Sequence, residues 1–142
     1  MSMQLDKVQP KNKTQLKQLI NYAFKHNIYD LNFIDTSEIT DMSLLFSNRM
    51  HNFDVSSWDV SNVTNMGYMF YHCKNFNCDL SNWDVSKVKN MNYMFYNCKN
   101  FNCDLSDWDI SNITRWKNVF CECDKITIPN WYKKLYIIKN KI

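Results

Sequence analysis

The chain reads as an α/β repeat solenoid in which about four copies of a 25-residue unit, each a short parallel strand plus a short helix, stack between two helical caps. Three observations predict this. Written from Trp58, Trp83 and Trp108, the copies run "WDVSNVTNMGYMFYHCKNFNCDLSN", "WDVSKVKNMNYMFYNCKNFNCDLSD" and "WDISNITRWKNVFCECDKI", one phrase at an interval of 25 residues. A fainter copy, "IDTSEITDMSLLFSNRM", spans Ile34 to Met50 and keeps Asp-x-Ser and the Phe, one residue out of step. A fixed period of this length marks units that touch only their neighbours. The energetics point the same way. One copy buries about ten apolar side chains at roughly 1.5–3 kcal/mol each, while ordering its backbone costs about 1–2 kcal/mol per residue, so a single copy cannot fold alone.

Taken in order, residues 1–9 read as a flexible N-terminal tail. Residues 10–27 follow Pro10 with "KNKTQLKQLINYAFKHN", which places Leu16, Leu19, Ile20, Ala23 and Phe24 on one stripe at helical spacing and predicts a capping helix. Residues 28–125 hold the repeats. Residues 126–142 form the second cap, with Pro129 at the helix start and Trp131, Leu135 and Ile138 on one face. Such caps are expected, because the end units of a stack would otherwise leave a bare core.

Within the unit, Val63, Met66, Phe70 and Cys73 recur as Val88, Met91, Phe95 and Cys98, and again as Ile113, Trp116, Phe120 and Cys123. The spacing i, i+3, i+7, i+10 predicts a helical stripe. Before it, Cys78 and Leu80, then Cys103 and Leu105, alternate with Asp79 and Asp104 at period two, as in a half-buried strand. The text "FNCDLSNWDVSKVKNMNYMF", with its near copy "FNCDLSDWDISNIT", resembles the repeat of the BspA-like leucine-rich-repeat surface proteins of bacteria, over about 100 of the 142 residues. The resemblance implies a leucine-rich-repeat-like stack and a binding role, often attachment to host or matrix proteins.

Composition excludes several function classes. Gly67 is the only glycine, so no Gly-rich phosphate loop exists. A net charge of +3, its basic residues clustered near the two ends, is too mild to argue for nucleic acid. No segment approaches the run of roughly 18 apolar residues that a membrane span needs, and the N-terminus lacks the apolar run of a secretory signal. The expected location is the cytosol, with the cell surface as the alternative implied by the resemblance.

Residue types that often carry chemistry are explained by the repeat itself. Asp59, Asp84 and Asp109, with Asp35, precede Ser61, Ser86, Ser111 and Ser37 by two, the spacing at which Asp accepts from the backbone and Ser caps a helical turn. Trp58, Trp83 and Trp108 are expected to stack as a ladder, with a carbohydrate-binding strip as the rival reading. The six cysteines lack C-x-x-C spacing and read as reduced, buried thiols, with disulfides between like positions as the rival. His26, His51 and His72 fall at unrelated repeat positions, so no acid–base pair is implied and no enzyme, metal or cofactor is expected.

What remains is surface. Asp54, Ser56, Asp79, Ser81, Asn82, Asp104, Ser106 and Asp107 are expected to point outward from the strands as a polar, acidic stripe. Tyr68, Tyr93 and Tyr96 are the alternative contact on the helical side. The function read from the sequence is a non-enzymatic protein–protein interaction module using the strand face, its partner an unidentified protein. The rivals are a surface attachment protein that binds a host matrix protein or glycan, and a structural assembly unit.

Overall fold

The computed structural model describes residues 7–141. Two helices lie at the ends, α1 (Lys13–Lys25) and α2 (Asn130–Lys141). Among the described residues there is no other helix and no strand longer than an isolated bridge. The predicted unit of strand plus helix is thereby corrected, and with it the α/β solenoid and leucine-rich-repeat description built on it. The chain between the helices is a stack of irregular turns.

A ribbon of consecutive β-turns joins each unit to the next. The backbone N–H groups of Met66, Tyr68, Phe70 and His72 donate to the carbonyls of Asn90, Asn92, Met94 and Tyr96 at 2.9, 2.8, 2.9 and 2.8 Å. The residues between them bond within the unit, Met69 to the Met66 carbonyl, Tyr71 to Tyr68 and Cys73 to Phe70, each three residues back. Alternate N–H groups therefore serve the stack and the turns, and every donor is used. The same pattern links Met42, Leu44, Phe46 and Asn48 to the second unit, and Met91, Tyr93, Phe95 and Asn97 to the fourth.

This geometry forbids the helix that the spacing suggested. Tyr68, His72, Tyr93 and Asn97 have φ of 57°, 59°, 56° and 59°, in the left-handed region that turns with a positive-φ third residue require. A non-glycine residue there costs roughly 1–2 kcal/mol, which the ladder must offset. Val63, Met66, Phe70 and Cys73 are nevertheless all buried, because a ribbon of β-turns, each closed by a bond three residues back, also brings positions three and four apart to one side. The stripe is real in burial and absent in backbone.

The predicted strand fails differently. Cys78 and Leu80 are buried and Asp79 is exposed, so the alternation holds. No backbone ladder follows, because Leu80 N–H donates to Cys103 Sγ at 3.3 Å, and Asp79 turns back to accept from Ser81 N–H at 3.0 Å. Parallel bridges occur instead at Val8–Ile34 and Asp30–Asp54, and along the column Asp41–Asn65–Asn90–Arg115. Of the tail expected over residues 1–9, residues 1–6 lie outside the described residues. Val8 is paired with Ile34, which makes it part of the stack.

Aromatic columns fill the core. The rings of Phe46, Phe70, Phe95 and Phe120 stack at 5.7, 5.4 and 5.7 Å with nearly parallel planes. Phe53, Phe76 and Phe101 form a second column beside them. Trp58, Trp83 and Trp108 are buried, and each indole N–H donates across the junction to the carbonyl of Leu31, Val55 or Leu80 at 2.9, 3.1 and 3.0 Å. This satisfies the one polar atom of each ring.

The caps close this core. Asn12 caps α1 by accepting from Gln15 N–H at 2.9 Å, and Leu16, Ile20 and Ala23 have no exposed surface. In α2, Trp131 donates to the Leu105 carbonyl at 2.8 Å and stacks on Trp108 at 6.4 Å, so it is the fourth member of the Trp column. Ile138, expected on the packed face, is 56% exposed, and Tyr136 and Ile137 beside it are also open.

Candidate functional site

The stack converts each repeat position into a row. Asp54, Asp79 and Asp104 form one exposed row, Ser56, Ser81 and Ser106 the next, and Asn82 and Asp107 lie in the third with Ser57. Each Asp of the first row accepts from the Ser N–H two residues on, at 2.9, 3.0 and 2.9 Å. Asp35, Asp59, Asp84 and Asp109 do the same toward Ser37, Ser61, Ser86 and Ser111, all at 3.0 Å. No helix follows these serines, so the capping role expected of them is absent. The bonds anchor the charge instead. Hydrogen bonds from Ser56, Ser81 and Ser106 hold the carboxyls of Asp54, Asp79 and Asp104 below their ordinary range, keeping the row ionised.

The row borders a shallow groove. Successive hollows of about 430, 410 and 410 Å³ run along it, from Tyr29 and Asp30 at one end to Lys133 of α2 at the other. The lining repeats Asn, Cys and Asp, as Asn52, Asn77 and Asn102 run beside the acids and the thiols of Cys78 and Cys103 form the floor. Asn52 Oδ1 accepts from Asn77 N–H at 2.9 Å, and Asn77 Oδ1 from Asn102 N–H at 3.1 Å. This Asn row ties the wall together, and the sequence reading passed over it although its 25-residue spacing was visible.

The tyrosines make a second surface. Tyr68 stacks on Tyr93 at 4.9 Å and Tyr71 on Tyr96 at 5.2 Å. Lys117 Nζ lies 5.9 Å from the Tyr93 ring centre, and Tyr96 donates its hydroxyl to Glu122 at 3.4 Å. Beside them, His72 Nδ1 and Asn97 Nδ2 are 2.6 Å apart, and among the described residues Asn97 is buried with its Oδ1 unpaired. Trp58, Trp83 and Trp108 present no strip to a sugar, because their rings are covered.

The cysteines also act within the backbone. Cys73, Cys98 and Cys123 donate S–H to the carbonyls of Phe46, Phe70 and Phe95 at 2.9, 3.0 and 2.9 Å, each one unit back. Burial pushes Cys73 and Cys78 up to about 12 and Cys123 to about 11, and raises Cys98 and Cys103. All six thiols are free, and Cys121 alone is exposed, with Cys123 half-buried and the other four buried. Native protein treated with a thiol reagent in the absence of reductant is therefore expected to show one fast group, rising to six on denaturation. A final count below six would reveal disulfides.

Among the described residues, no group of three His, Cys, Asp or Glu side chains is placed to hold a metal, and no helix is long and apolar enough to cross a membrane. A family model described as "Mycoplasma protein of unknown function, DUF285" matches residues 14–131, which run from the first turn of α1 to the last Trp of the column. No curated protein and no solved structure matches the chain, and none of the comparisons shows the BspA-like family.

Proposed function

We propose, for a chain that belongs to the DUF285 family, a non-enzymatic protein-binding function exercised through the polar face of Asp54, Asp79 and Asp104. One observation carries the reading. Hollows of about 410–430 Å³ follow this row, so the face combines concavity with an array of fixed negative charge. A partner with a basic, extended surface fits it, since complementary charge speeds encounter and penalises wrong partners.

The test uses a substitution for which the molecule supplies its own precedent. In the column Asp41–Asn65–Asn90, Asp and Asn make the same turn, accepting from Ser43, Gly67 and Asn92 N–H at 2.8, 3.0 and 2.9 Å. Asp54→Asn, Asp79→Asn and Asp104→Asn together should therefore keep the fold and remove the charge. With a partner captured from lysate of the source cells, calorimetry is expected to show at least about a tenfold loss of affinity, ~1.4 kcal/mol. Tyr68→Ala, Tyr93→Ala and Tyr96→Ala serve as the comparison. Loss confined to the tyrosine variant would move the contact to the stacked rings.

A further inference from the structure

We propose that the C-terminal edge of the turn ribbon is a docking site for an extended acidic peptide segment of a partner protein. At every junction inside the stack, four alternate N–H groups of one unit donate to carbonyls of the next. In the last unit the corresponding donors are Trp116, Asn118, Phe120 and Glu122, and among the described residues none of these N–H groups makes a hydrogen bond. Phe120 lies beneath Trp131 and Tyr132, at 5.9 and 5.2 Å. The other three belong to residues that are exposed or half-buried. A row of unpaired donors at alternate residues is a template for an added chain.

The repeat also breaks at this edge. Where the inner units have Asn65-Met66-Gly67 and Asn90-Met91-Asn92, the last has Arg115-Trp116-Lys117. Met66 and Met91 are wholly buried while Trp116 keeps part of its ring in solvent, so the core does not demand the change. A cleft of about 580 Å³ opens between this segment and the last turn of α2, lined by Arg115, Trp116, Lys117, Ile138 and Lys139 among others, with no carboxylate in its walls.

These features specify the occupant. Its carbonyl oxygens must recur at alternate residues, as those of Asn90, Asn92, Met94 and Tyr96 do one junction earlier. A polypeptide meets that condition and a nucleic acid does not. Arg115, Lys117 and Lys139 select carboxylates, and Trp116 with the exposed Ile138 takes the apolar part of the segment. A second copy of the chain is the weaker match. Its matching carbonyl edge, beginning at Asp41 and Ser43, lies beside α1, where Lys13 Nζ holds Asp41 at 3.5 Å and Ser43 Oγ at 2.7 Å.

The probe is a blocked heptapeptide of alternating glutamate and threonine, followed by backbone amide exchange and chemical shifts in isotope-labelled protein. Binding is expected to slow exchange of the Asn118 and Glu122 amides at least about tenfold. Arg115→Glu with Lys117→Glu should weaken binding by about tenfold or more, and the matching lysine–threonine peptide should not bind. Trp116→Met, which restores the residue of the inner units, should weaken binding without disturbing the fold. Unprotected amides, equal binding of the lysine peptide, or unchanged affinity in the charge-reversed variant would each overturn the proposal. So would protection of the same amides by raised protein concentration alone with a dimer in sedimentation, which would assign the edge to a second copy.

Discussion

Replacing Phe70 with alanine is expected to cost about 3–5 kcal/mol, enough to unfold much of a domain whose total stability is of the order of 5–15 kcal/mol. Phe70 has no exposed surface, and its ring lies between Phe46 at 5.7 Å and Phe95 at 5.4 Å, with Phe76 at 4.3 Å. The cavity would open on two junctions at once, and parallel rings on either side cannot close it without breaking the ribbon's hydrogen bonds. Urea denaturation followed by circular dichroism measures the loss. Phe120→Ala, at the end of the same column, is the comparison, and it should cost less because only α2 packs beyond it. An equal loss at both positions would mean that the helical cap grips the core as tightly as a full unit does.

Removing residues 76–100 is expected to leave a folded, less stable protein, whereas removing residues 76–87 should leave none. The longer deletion joins Asn75 to Phe101, which takes the place of its equivalent Phe76, and sets the donors of Met66, Tyr68, Phe70 and His72 against the carbonyls of Arg115, Lys117, Val119 and Cys121. Those carbonyls already accept from the equivalent residues of the third unit. The shorter deletion brings no such row into register. Soluble yield and a cooperative thermal transition distinguish the two. Equal failure of both would show that the units do not stack as independent neighbours.

Much of the packing was legible in the text. The 25-residue interval identified the Phe, Trp and Cys columns, and the alternation through Cys78, Asp79 and Leu80 assigned inside and outside correctly. Backbone conformation was not legible, for reasons that particular residues make plain. Tyr68 and Tyr93 take positive φ without being glycine or asparagine, so nothing at those positions announces a turn. Spacings of three and four are shared by a helix and by a ribbon of consecutive β-turns. The strand was misread because a thiol sulfur and an Asp carboxylate receive bonds that a neighbouring backbone would take in a sheet. Trp131 escaped the repeat because it follows Trp108 by 23 residues and sits on a helix. On the surface, the Asp and Tyr rows were found by their period. The groove beside the acids depends on the depth of a fold that the spacing misassigned.

The hydrogen bonds of the ribbon share a direction, and this gives the stack an electrical polarity. At each of the three inner junctions four ribbon donors belong to the earlier unit and their acceptors to the later one. They outnumber the bonds that run the other way, from the N–H groups of Thr64, Lys89 and Thr114 to the carbonyls of Thr40, Thr64 and Lys89. Peptide dipoles of about 3.5 D therefore add along the stacking axis, as they do in a helix and do not in an ordinary sheet. The sense is the reverse of a helix, with carbonyls at the N-terminal end of the ribbon and N–H groups at the C-terminal end that have no backbone partner among the described residues. Helix α1, bearing Lys13, Lys17 and Lys25 and no acid, lies at the negative end, where its cations are favoured. Helix α2 brings Lys133, Lys134 and Lys139 to the positive end, where they are not. The two basic caps are thus electrostatically unlike, and of the two the C-terminal one is held against the field of the stack it covers.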